Sequence, residues 1–272
     1  MTTITGTAET ATITPKRRSA LGMLGHQVRF DLLIMARDRS ARFFTLGLPV
    51  LMLVLFVAIF GTGYVGPYGH SMRASTYYVA TQVVFGVVGA GFMTLMNILV
   101  IRRQAGLYKR RRATPVPAWA IVVSQAILGL VGAVGIAGLL LAIGALAFSV
   151  TVPPGSLAAL AVDIAVGALS FCCLGFAVAS LVRTETAAQP VSMGLALPLF
   201  FISGVFIPWD LIPTWMRGVA SVFPVRPFAA AVLAVFGGST GVWRPVDLLV
   251  VGAWGLAALA LSARRLAWSP YT

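Results

Sequence analysis

The sequence predicts an all-α polytopic membrane protein. It reads as six transmembrane helices, an N-terminal interfacial amphipathic helix, and short re-entrant helices between spans five and six. Three observations carry that reading. The chain of 272 residues is 59% hydrophobic and only 10% charged, against about 25% charged in ordinary soluble domains. Several uncharged stretches exceed the roughly 18 residues that mark a membrane-spanning helix, and none shows the alternation over about ten residues expected of a membrane barrel. The formal net charge of +13 sits beside the apolar runs, where it suits anionic lipid and an acidic partner better than nucleic acid.

Residues 1–19 are rich in Thr and Ala and end in Lys16, Arg17 and Arg18, which predicts a disordered cytoplasmic tail. No apolar core follows until about residue 43, so the tail is not a secretory signal; an organellar transit peptide is the alternative for so hydroxyl-rich a segment. Residues 20–42 form the amphipathic helix, because Leu21, Leu24, Val28, Leu32 and Met35 recur at helical spacing with Arg29, Arg37 and Arg39 beside them. A soluble helix packed on a partner is the alternative there.

The membrane domain occupies 43–272. Its spans are expected near 43–63, 76–101, 118–149, 157–182, 187–207 and 246–263. With the N-terminus inside, 16 of the 20 Lys and Arg fall in predicted cytoplasmic segments and 4 (Arg73, Arg217, Arg226, Arg244) fall outside. That is the direction of the positive-inside rule, and it predicts two cytoplasmic termini. Gly129, Gly132, Gly135 and Gly138 repeat every three residues in the third span and predict close helix packing. Pro190 and Pro198 predict kinks in the fifth. The adjacent Cys172 and Cys173 lack metal-ligand or disulfide spacing and read as small apolar residues.

Chemistry is sparse. The two histidines, His26 and His70, lie apart, the seven acids are scattered, and no nucleophile, base and orienting group can be assembled, which argues against an enzyme. Neither lysine, Lys16 or Lys109, is followed by Ser or Thr, so the chain has no P-loop and any transport energy comes from another chain. Asp163 is the one acid well inside a span, about six residues or roughly 9 Å from its outer end. It leaves open an ion-coupled carrier, and a non-transporting membrane scaffold is a third class. Gln82, Thr94, Asn97, Ser124, Gln125 and Asp163 are the polar candidates to line a substrate pathway; each has a plain alternative as a helix–helix hydrogen bond worth about 0.6 kcal/mol. In the outer segment from Pro208 to Pro245, Trp209, Trp215 and Phe223 suit a membrane interface. Trp215, Val219 and Val222 share one helical face, which predicts one or two short helices dipping into the outer leaflet.

Two motifs resemble those of the ABC type-2 transporter permeases, and in particular the daunorubicin/doxorubicin-resistance exporter permeases. In RRQAGLYKRRRATPVP at 102–117, Gly106, Leu107, Arg110, Arg112, Ala113, Thr114 and Pro115 match the family's loop after the second span. The family's glutamate before the glycine is absent, and Gln104 and Ala105 stand there instead. In FFISGVFIPWDLIPTWMRGVASVFPVRPF at 200–228, Ser203, Gly204, Val205, Pro208, Pro213 and Pro224 match. The resemblance implies a bacterial plasma-membrane exporter of a hydrophobic drug or lipid-like substrate. It implies a homodimer of this chain with two copies of a separate ATPase subunit that binds the ATP and Mg; this chain would hold no cofactor. Gly106, Leu107, Tyr108, Lys109, Arg110, Arg111 and Arg112 would be the coupling helix that docks on the ATPase. Ser203, Gly204, Phe206, Pro208, Trp209 and Trp215 would belong to an outer re-entrant gate.

Overall fold

The computed structural model describes residues 22, 25, 28–31, 33, 43–61, 63–65, 72–106, 118–237 and 243–265. The predicted disordered tail 1–19 lies outside them. The described residues between 22 and 33 are helical; of the residues that carry the predicted apolar stripe, only Val28 is among them. Phe30 and Leu33 are exposed, and Asp31 is buried.

A π-helical turn at Phe43–Gly47 leads into α1, Leu48–Phe60. At about 1.5 Å per residue, α1 alone is shorter than a bilayer core. A two-stranded antiparallel ladder follows. In it β1, Tyr64–Val65, pairs with β2, Met72–Arg73, in the register Tyr64 to Arg73 and Val65 to Met72.

The next helix is continuous from residue 74 to 104 but changes its winding. It comprises α2, Ala74–Val88, a π-helical stretch at Gly89–Thr94, and α3, Leu95–Gln104. Then come α4, Ala118–Phe148, α5, Leu157–Leu181, and α6, Glu185–Ile202, which carries Pro190 and Pro198 inside it. Two shorter helices, α7, Thr214–Val222, and α8, Val225–Phe236, meet at a bend of 96°. The last helix is α9, Pro245–Arg265.

Among the described residues, four helices are long and apolar enough to cross a membrane, at 74–104, 123–148, 154–181 and 245–264; counting the bent pair as one span gives five. The chain is therefore a multi-pass, all-helical membrane protein.

The core is built around α2 and α8. Tyr77, Tyr78, Val79, Ala80, Val83, Val84, Val87 and Val88 of α2 are buried, as is nearly every residue of α8. A helix apolar on every side must be covered on every side. Here α2 packs against α1, α4 and α8, while α5 packs against α4, α8 and α9.

The π-helical stretch crosses α5 closely: a Cβ on Gly175 would lie 3.1 Å from the carbonyl oxygens of both Gly91 and Phe92. The glycine row of α4 is used only in part. A Cβ on Gly129 would lie 2.3 Å from Cys172 Sγ, whereas around Gly135 and Gly138 there is nothing within 4 Å. Three residues turn a helix through about 300°, so such a row drifts about 60° per step and is on the opposite side of the helix after three steps.

Candidate functional site

Polar contacts gather at the two ends of the long helix α2–α3. The sequence places residues 102–117 in one loop. The helix instead continues to Gln104 and the chain turns at Gly106, where φ is +67°, a left-handed conformation natural to glycine. The helix runs on because its last three residues find partners. Arg102 Nη2 pairs with Asp31 Oδ1 at 3.0 Å, with the Asp31 side chain 1% exposed. The other carboxylate oxygen of Asp31 accepts a hydrogen bond from Gln125 Nε2 of α4 at 3.0 Å.

On another face, Arg103 donates from Nη1 to the Ala179 carbonyl at 3.0 Å and from Nη2 to the Val182 carbonyl. Gln104 Nε2 donates to the Arg183 carbonyl at 3.1 Å. Arginine suits such a place, because the last carbonyls of a helix, here α5, lack intrahelical donors and carry the negative end of its dipole. Of the predicted docking residues only Gly106 is described; Leu107, Tyr108, Lys109, Arg110, Arg111 and Arg112 lie outside the described residues.

At the opposite end of the helix, the turn after α6 is held from both sides. Gly204 has φ +83°, and its carbonyl accepts a hydrogen bond from the Tyr77 hydroxyl of α2. The neighbouring Ser203 carbonyl accepts from Arg226 Nη1 of α8 at 3.4 Å. The Arg226 guanidinium, 4% exposed, lies 3.6 Å from the centroid of the Trp209 ring, and the Arg217 guanidinium lies 5.6 Å from it. A cation against the negative face of an indole is attractive, most strongly where water is excluded. Arg217 also donates to the carbonyls of Ile212 and Asp210, at 2.8 and 2.9 Å, tying the short stretch before α7 to α7 itself.

Phe206 sits among Phe56, Phe85, Phe200 and Phe201, with ring centroids 5.3 to 5.7 Å away, the separations aromatic pairs favour. Trp215, Val219 and Val222 turn one exposed apolar face outward, as their helical spacing predicts. Pro208 precedes a 3₁₀ turn at Trp209–Leu211. Of the predicted outer residues, Ser203, Gly204 and Trp209 therefore meet around Arg226, Phe206 sits in a neighbouring group of aromatic rings, and Trp215 is exposed.

The pathway candidates are dispersed. Gln82 is fully buried, and neither amide atom has a hydrogen-bond partner among the described residues. Asp163 of α5 is likewise buried, and its carboxylate oxygens lack hydrogen-bonded partners there; the Trp243 side chain lies near it without reaching good hydrogen-bond geometry. Asn97 Nδ2 donates to the Met93 carbonyl at 2.8 Å and to Ser192 Oγ of α6 at 3.1 Å. Thr94 ends the π-helical stretch. Ser124 and Gln125 are buried near the start of α4, where Gln125 is engaged with Asp31. Among the described residues, no group of three or more His, Cys, Asp or Glu could hold a metal.

Three contributors escape a reading by composition. Arg226 counts as an outer-loop charge, yet lies in the first turn of α8; an arginine between Pro224 and Pro227 in an apolar run was the available signal. Tyr77 is the polar tip of an uncharged stretch. Asp31 stands three residues after Val28 and four before Met35, so it is an acid on the apolar stripe itself, where only a buried partner makes it tolerable.

Residues 27–236 match the family model described as ABC-2 type transporter. The chain is 26% identical over 196 residues to the "Probable multidrug ABC transporter permease YbhR" of Escherichia coli (strain K12), covering 70% of this chain and 53% of that protein. It is also 26% identical over 174 residues to the "Putative transport permease YvfS" of Bacillus subtilis (strain 168), covering 64% of this chain and 71% of that protein. The alignment spans about half the length of YbhR.

Proposed function

The chain belongs to the ABC-2 type transporter family, and from that premise we propose that it is the membrane subunit of an ATP-driven exporter. A separate ATPase subunit would bind ATP and Mg, since the chain has no P-loop. The observation that carries the reading is the match over 27–236, which runs from the N-terminal helix through the basic loop to the end of α8. In this reading six segments cross the membrane, the spans near 43–63 and 187–207 completing the four long ones, and both termini face the cytoplasm.

Residues 106–112 dock on the ATPase. Leu107 and Tyr108 are the apolar anchors, and Arg110, Arg111 and Arg112 meet acids or lipid phosphates. The bent pair α7–α8 is a re-entrant gate, with Ser203, Gly204, Phe206, Pro208, Trp209 and Trp215 around its outer turn. Two copies of the chain act with two ATPase subunits on a hydrophobic drug or lipid-like substrate, in keeping with the multidrug wording in the name of YbhR.

Replacing Leu107 and Tyr108 together by Ala tests the docking. The charges remain, so membrane insertion stays normal. Recovery of the co-expressed ATPase with the tagged permease falls roughly thirtyfold, the equivalent of about 2 kcal/mol of hot-spot contact. Full recovery of the ATPase with the double variant would reduce the loop to a topology signal.

A second reading, an ion-coupled carrier, has one observation in its favour: Asp163 is buried in a span without a hydrogen-bonded partner among the described residues. It requires that Asp163→Asn stop transport of every substrate. The exporter reading requires only that cationic substrates be affected more than neutral ones.

A further inference from the structure

Among the described residues, the Asp31 carboxylate joins the stem of the basic loop to the N-terminal helix. Asp31 Oδ1 takes Arg102, five residues before Leu107, and Oδ2 takes Gln125, eight residues after Pro117. One side chain thus bridges the helix before the loop, the helix after it, and a third element far away in sequence. A carboxylate this buried is stable only with its partners in place. The arrangement is therefore discrete and cannot slide as apolar packing can.

We infer that Asp31 is a positioning residue that locks the N-terminal helix to α3 and α4, so that a displacement of the loop moves all three elements as one unit. This rests on the exporter reading, in which an ATPase pushes on the loop. Arg103 and Gln104 join the same stem to the end of α5 through carbonyls. Those bonds do not involve Asp31, so removing its charge loosens the hold on the N-terminal helix and leaves them in place.

The test uses the complex of the full chain with its co-purified ATPase in lipid nanodiscs. Phe30 is 55% exposed and neighbours Asp31, so Phe30→Cys reports on the N-terminal helix through its rate of labelling by a fluorescent maleimide. The parent chain, with Cys172 and Cys173, supplies the blank. Adding ATP and vanadate should change the labelling rate by roughly fivefold or more, the low end of ordinary coupling between sites. Asp31→Asn should remove that response while ATPase recovery and the gel-filtration profile of the complex stay unchanged. Gln125→Met keeps the ion pair and removes only the second arm, so it should weaken the response without abolishing it.

An undiminished response in both Asp31→Asn and Gln125→Met overturns the inference, and so does a parent complex whose residue 30 never responds to nucleotide. If no ATPase is recovered with the parent chain, the exporter reading fails first and the inference falls with it. Full recovery with an unlinked response leaves the exporter reading standing.

Discussion

The two ends of the helix α2–α3 are both clamped, and by different chemistry. At the loop end the clamp is an ion pair, Asp31 with Arg102, supplemented by Gln125 and by arginine-to-carbonyl bonds onto α5. At the other end a buried arginine rests on the face of Trp209 and on the Ser203 carbonyl, with the Tyr77 hydroxyl on the Gly204 carbonyl. The loop end concentrates its cost in one charge, because removing Arg102 leaves the Asp31 carboxylate buried without its counter-charge there. The other end spreads its contacts over a ring face and two carbonyls. Between them lies the π-helical stretch Gly89–Thr94, a winding defect of the kind often found at functional places in helices.

The comparison can be broken by measuring thermal unfolding in detergent. The largest loss should come from Asp31→Asn, about 3 kcal/mol, because it removes the buried carboxylate that holds both Arg102 and Gln125. Arg226→Met should cost less, about 2 kcal/mol, since it removes a desolvated cation–π contact and one carbonyl bond. Tyr77→Phe should cost least, about 1 kcal/mol, for one hydrogen bond. If Arg226→Met proves more damaging than Asp31→Asn, the outer end is the more concentrated clamp and the contrast is reversed.

Composition and hydropathy were enough to read the helical class and the positions of the long helices, because a bilayer forces length and apolarity on any segment that crosses it; the family was legible only through the resemblance of the motifs at 102–117 and 200–228. The motif at 200–228 likewise led to the turn that the outer cluster surrounds. Pairings were harder to read. Nothing local says that Arg102 belongs with Asp31, 71 positions away by residue number, or that Arg226 faces Ser203. The end of α3 was placed too early because Arg102 and Arg103 were counted as loop charges, whereas partners on other elements let both stay helical. Of the glycine row of α4, Gly129 meets a neighbour closely while Gly135 and Gly138 have nothing within 4 Å among the described residues, because a period of three does not keep one face of a 3.6-residue helix.

The most direct test of the account is transport into inverted membrane vesicles containing the permease, with and without its co-expressed ATPase, using ethidium as the probe. The account predicts uptake that needs both ATP and the ATPase and that persists when a protonophore collapses the proton gradient. Uptake that proceeds without the ATPase and disappears with the protonophore would contradict it.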